Sequence, residues 1–199
     1  MNPEPGLSLS PILGLDPGSR HTGWGLIETR NGRITLLGQG RLSPPAAWPF
    51  PRRLAFIHTG LREIIQKYRP QVCAVEDVFT CKNPRSALKL AQARGAAVLA
   101  AALEEIPVME YTPSQIKNAL TGHGQAEKSQ VAFLVKSLLG LTEELPPDTT
   151  DALAAAVCQA SLGPLAAVSA APAGRSRSKS WSKFSPEDLA ALGFKVAEN

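Results

Sequence analysis

The chain has 199 residues, with 21 Lys and Arg against 17 Asp and Glu (net charge +4), 44% apolar content and three Cys. That composition excludes collagen-like and fully disordered chains, and Cys73, Cys81 and Cys158, odd in number and without a CxxC pair, exclude a disulfide scaffold or zinc ribbon. No apolar run approaches the roughly 18–20 residues of a membrane span, and Met1–Ser10 lacks the basic and apolar regions of a signal peptide, so a cytoplasmic protein without a membrane partner is expected. The small positive excess permits a polyanionic partner without requiring one.

In chain order, residues 1–11 read as a flexible extension, 12–162 as one folded domain and 163–199 as a flexible basic tail. Ile12–Asp16 is a short apolar strand closed by Pro17-Gly18. Thr22–Glu28 and Arg33–Arg41 are extended runs joined by Asn31-Gly32, a strong hairpin signal, so the domain opens with a three-stranded antiparallel meander. Arg52–Tyr68 places Leu54, Ile57, Leu61, Ile64, Ile65 and Tyr68 on one helical stripe, which Pro70 ends. Val72–Glu76 is a buried strand. Asn83 caps a long Ala-rich helix with Pro84 at its first position, ending near Glu105; small residues such as Ala91, Gly95 and Ala102 would allow another helix to approach it. Val108–Tyr111 is a fifth strand, Thr112 and Gln115 form a capping box for a helix to about Leu120, and another helix runs from about Ala126 to Leu139. A last helix starts near Asp148, and residues 186–192 of the tail could form a short one. The order predicts an α/β fold, a five-stranded mixed sheet flanked by helices with its first three strands antiparallel.

Asp16 and Glu76 each end a strand at the carboxyl edge where open α/β sheets hold their ligands, inside apolar segments that penalise an isolated charge. Either could simply cap a turn. Asp148 and Asp151, three residues apart, share a face at a helix start, as an N-cap and third-position acid would. If all four converge they repel one another unless a cation intervenes, and hard oxygen donors without His or Cys select Mg²⁺ or Mn²⁺. Two such ions, about 3.5–4 Å apart, suit in-line phosphodiester hydrolysis.

Ile12-Leu-Gly-Leu-Asp16-Pro-Gly-Ser-Arg20, Thr22-Gly-Trp-Gly25, Val75-Glu76-Asp-Val-Phe79, Asn83-Pro-Arg-Ser-Ala-Leu-Lys-Leu90, Gln92-Ala-Arg-Gly95, Ala126-Glu-Lys-Ser-Gln130 and Asp148-Thr-Thr-Asp151-Ala-Leu-Ala154 follow one another in the order of the RuvC-type Holliday-junction resolvases. The chain resembles that family over roughly Ile12–Ala160. The resemblance implies an RNase H-like fold, a homodimer, a four-way DNA junction as substrate, paired nicks during recombination and repair, and the RuvA and RuvB branch-migration proteins as partners. It implies Asp16, Glu76, Asp148 and Asp151 as catalytic ligands of two Mg²⁺ ions, with Mn²⁺ as a substitute. Some members carry His in place of Asp148, and Ala91 here replaces a common Gly. Phe79 matches an aromatic that enters the junction, and Lys117 and Lys128 match basic residues near the scissile phosphate.

Arg20 and Lys82, in the loops flanking the acids, are further DNA-contact candidates. His123 reads as incidental, and Trp24 as sheet packing rather than DNA reading. Three rivals stand beside junction cleavage. An actin-like sugar kinase shares Asp16-x-Gly18 but needs two such domains around ATP; a junction-binding module without catalysis would not need four acids; an RNase H would cut RNA:DNA hybrids.

Overall fold

The computed structural model describes residues 11–77 and 83–169. Contacts divide the chain into Met1–Val168 and Ser169–Asn199, and every element lies in the first unit save the terminal Ser169 of its last helix. The elements are β1 (Ile12–Asp16), β2 (Thr22–Arg30), β3 (Arg33–Leu42), α1 (Phe50–Tyr68), β4 (Val72–Glu76), α2 (Pro84–Leu103), β5 (Val108–Tyr111), α3 (Pro113–Thr121), α4 (Lys128–Leu139) and α5 (Pro147–Ser169). The sheet runs β3-β2-β1-β4-β5, antiparallel from β3 to β1 and parallel from β1 to β5, as the element order predicts.

Side-chain alternation splits the sheet into two apolar faces. Leu13, Leu15, Leu26, Cys73 and Val75 pack under α1 and α2, against Ile57, Leu61, Ile65, Ala93 and Ala97. Ile12, Ile27, Val72, Ala74, Met109 and Tyr111 point the other way, toward Ile116, Val131, Val135 and the buried Ala and Val positions of α5. Where β1 and β2 meet α5, two positions have no room for a side chain. A Cβ on Gly14 would lie 1.9 Å from the Ala152 carbonyl oxygen, and one on Gly23 would lie 1.9 Å from that of Asp148. The backbone of α5 therefore rests directly on the sheet.

The local signals hold with three corrections. Asn31 and Gly32 take positive φ (51° and 75°) at the β2–β3 turn, Asn83 accepts from the amides of Arg85 (2.9 Å) and Ser86 (3.4 Å), and Thr112 with Gln115 forms the capping box. α4 begins at Lys128 rather than Ala126, because the Glu127 amide donates to Gln130 Oε1 (3.0 Å) and makes Glu127 the cap. Asp148 is not an N-cap: Pro147 opens α5 and the Thr150 amide donates to the Pro146 carbonyl (3.0 Å), leaving Asp148 one residue inside the first turn. The third correction is at the far end, where α5 continues to Ser169, past position 162, where the sequence reading ends the folded domain. Gly163 and Pro164 did not end it, because the Ala-rich stretch before them is buried against the sheet and already nucleated. The short helix read into 186–192 lies outside the described residues.

Candidate active site

Asp16 and Glu76 meet because of register and parity. β1 and β4 are parallel with Leu15 opposite Val75, so the next residue of each strand stands side by side at the sheet edge. Leu15 and Val75 face α1 and α2; Asp16 and Glu76 therefore face α5. The Asp77 amide donates to the Tyr111 carbonyl (2.7 Å), which carries the sheet pairing past Glu76 and holds its backbone. After Asp16 the loop is secured by Thr22, whose hydroxyl donates to the Gly18 carbonyl (3.1 Å), and by Arg53 of α1, which donates to the Ser19 carbonyl.

The other two acids come from the first turns of α5, whose amino end favours negative charge. Asp16, Glu76, Asp148 and Asp151 line one cleft of about 510 Å³, together with Pro17, Lys117 and Lys128. Each helix acid is engaged by a cation. Lys128 Nζ donates to Asp151 Oδ2 at 2.8 Å, and Arg41 of β3 stands 3.6 Å from Asp148 Oδ2. Lys128 opens its own helix, where the dipole disfavours a positive charge, and Asp151 offsets that conflict. Among the described residues neither Asp16 nor Glu76 has an ion pair.

Electrostatics mark the strand acids as the uncompensated pair. Burial, then repulsion from Asp151, Glu76 and Asp148, pushes the Asp16 carboxyl up to about 7, against a lowering by Lys128. Burial and the charge of Asp151 raise Glu76 as well, opposed by Lys128 and Lys117. Lys128 is held protonated by its hydrogen bond to Asp151 and by the charges of Asp151, Glu76 and Asp16. Among the described residues no three His, Cys, Asp or Glu side chains close on a common point tightly enough to ligate an ion. The donor set nevertheless fits a hard divalent cation: it is all carboxylate, and Asp16, raised by burial and by three neighbouring acids, has no ion pair among the described residues.

The family described as "Crossover junction endodeoxyribonuclease RuvC" matches residues 12–159, a span that holds all four acids. The chain belongs to the RuvC family. Within it, the RuvC of Citrifermentans bemidjiense is 53% identical over 149 residues, covering 75% of this chain and 91% of that one. That of Trichlorobacter lovleyi is 46% identical over 182 residues, 88% and 99% of the two chains. In structure, T. thermophilus RuvC, solved in complex with a Holliday junction substrate, superposes with a TM-score of 0.72 at 35% identity, covering 76% of this chain and 93% of that one. The yeast mitochondrial Holliday junction resolvase Ydc2, 15% identical with a TM-score of 0.59, shares the fold. Family and fold thus agree with the RuvC-type resemblance and its RNase H-like architecture.

Of the other sequence-predicted residues, Lys117 and Lys128 line the cleft, while Arg20 is exposed in the loop after Asp16 and does not. Phe79 and Lys82 lie outside the described residues. His123 is exposed and lines a separate hollow with Phe133 and Gln130, away from the acids. Trp24 packs on Tyr68 (ring centroids 6.2 Å apart) and covers Gly40, a structural role. Sequence reading missed Arg41 and Arg94. Arg94 of α2 stands 2.8 Å from Glu110 and 3.7 Å from Asp77, holding the chain just beyond Glu76. Both work through contacts distant in sequence; for Arg41 the available signal was its place opposite Gly23 in the predicted meander.

Proposed function

We propose that this RuvC-family endodeoxyribonuclease resolves four-way DNA junctions with Asp16, Glu76, Asp148 and Asp151 as its catalytic carboxylates. One observation carries the reading: two strand-end acids and two helix-start acids, from three separate stretches of sequence, line a single cleft beside two lysines. The four carboxylates would hold two Mg²⁺ ions, or Mn²⁺ in their place. Such ions supply a water of lowered pKa and charge compensation for the attacking and leaving oxygens of the phosphodiester. Asp16, at the centre of the acids, provides the carboxylate most in need of that positive charge. Lys117 and Lys128 neutralise the strand's phosphate at the cleft wall, and Lys128 keeps Asp151 oriented until it does so. Arg20 and Lys82 contact flanking phosphates, and Phe79 enters the junction between bases.

The protein works as a homodimer, so that two like sites address two like strands. Leu88, Leu99 and Leu103, which are 67%, 50% and 43% exposed, form an apolar stripe along α2 with Gly95 between them; a second copy would cover it. Leu99→Glu should shift the sedimenting species from dimer to monomer, and a monomeric unaltered chain would dismiss this interface. The RuvA and RuvB branch-migration proteins are its cytoplasmic partners. No helix among the described residues is long and apolar enough to cross a membrane.

The deciding experiment compares a mobile four-way junction, an RNA:DNA hybrid and a linear duplex at equal concentration in Mg²⁺. Paired nicks confined to the junction are expected. Preferential cutting of the hybrid would transfer the chain to an RNase H role, and junction binding without nicking in either Mg²⁺ or Mn²⁺ would leave it a binding module.

A further inference from the structure

The sheet aligns a row of residues behind the cleft. Asp16 of β1 pairs with Gly23 of β2, and Gly23 pairs with Arg41 of β3. Residues directly opposite in antiparallel strands project from the same face, so Asp16 and Arg41 both face α5, with Gly23 as a gap between them. That gap is filled by the backbone of Asp148, whose carbonyl lies 1.9 Å from where a Gly23 Cβ would be. Arg41 thus stands 3.6 Å from Asp148 Oδ2 across a residue that has no side chain. Beside it, the Thr149 hydroxyl donates to the Gly40 carbonyl (3.2 Å). Consecutive residues of β3 therefore grip consecutive residues at the start of α5.

We propose that Arg41 is a positioning residue of the cation site, bracing Asp148 from outside the cleft so that α5 presents this carboxylate toward Asp16 and Glu76. The inference rests on the reading of the four acids as cation ligands. Arg41 does not line the cleft and reaches Asp148 from outside it; Lys128, in contrast, stands inside the cleft on Asp151. The Arg41–Asp148 pair is too exposed, 37% and 30%, to add much stability. What it restricts is the rotamer of a ligand, and loss of an outer partner of a ligating group typically lowers metal affinity by about 10- to 100-fold. The positive charge of Arg41 acts in the opposite sense, repelling a bound cation. That repulsion acts from beyond Asp148, whereas Arg41 meets the Asp148 carboxylate directly at 3.6 Å, so the brace prevails.

The test titrates Mn²⁺ into the purified full chain without DNA, reading free Mn²⁺ by electron paramagnetic resonance. Arg41→Ala should bind about tenfold more weakly than the unaltered chain. In an Asp148→Ala background, adding Arg41→Ala should cause no further loss. Unchanged or tighter binding by Arg41→Ala overturns the proposal, as does an equal loss in the Asp148→Ala background. The underlying reading fails differently: Asp16→Asn would then bind Mn²⁺ as the unaltered chain does.

Discussion

The two strand acids and the two helix acids reach the same cleft by different physics. Asp16 and Glu76 project from the ends of buried strands, have no ion pair among the described residues, and are driven toward the neutral form by burial and by the charge of Asp151. Asp148 and Asp151 sit on a helix start whose dipole favours them, and each has a cation beside it, Arg41 or Lys128. Half of the site is electrostatically complete within the protein and the other half is not. The deficit lies at Asp16, which places the demand for an external cation on the sheet rather than on the helix.

The sharpest way to break that contrast is Asp16→Asn, expected to keep junction binding while lowering cleavage on the order of a thousandfold, since several kcal/mol of charge stabilisation depend on the ligand. Near-normal nicking of a labelled junction in Mg²⁺ would remove Asp16 from the chemistry. Next comes the pH dependence of stability in a chelator. The folded Asp16 carboxyl titrates at about 7 against an ordinary 3.8, so the folded protein holds a proton in that window which the unfolded chain releases. Its contribution therefore declines as pH rises from about 4 to about 7, and above that Asp16 destabilises the cation-free fold on the order of 2–4 kcal/mol. Thermal unfolding in EDTA should show the unaltered chain losing several degrees relative to Asp16→Asn as pH is raised through this window, with Mg²⁺ restoring them. Parallel curves would show that Asp16 is no more strained than the helix acids.

Gly23→Ala attacks the spacing between the two halves. Its new methyl would meet the Asp148 carbonyl at 1.9 Å and push α5 off the sheet, at a cost of about 1–3 kcal/mol, visible as a lowered melting temperature together with weaker Mn²⁺ binding. An unchanged melting temperature would mean that the contact yields freely. The mildest change is Asp148→His. Imidazole can also coordinate a divalent ion, and this acid belongs to the internally compensated half, so cleavage should stay within about tenfold of normal. A loss as large as that of Asp16→Asn would erase the distinction drawn between strand and helix acids.

Much of this was legible locally. β1, β4 and β5 fall where their apolar runs lie, and the Asn83 cap and the Thr112–Gln115 box mark their helices, because each signal involves residues within a few positions of one another. Boundaries failed where a competing local bond or distant packing decided them. Glu127 took the cap that Ala126 could not, Pro147 preceded Asp148 into α5, and the buried Ala-rich face carried that helix past Gly163.

The four acids were identifiable as individual strand ends and helix starts, and their order along the chain carried the family resemblance. Their convergence was not legible from those local patterns, because it depends on β1 pairing in parallel with β4 and on α5 lying against Gly14 and Gly23. Arg41 shows the same limit more plainly: in sequence it is one more charge near the end of an exposed strand, 107 positions from Asp148. Hydrophobic periodicity and capping act over a few residues and are written in the chain itself. Which charges face one another is set by strand register and backbone contact across the whole domain, and only the folded sheet supplies those.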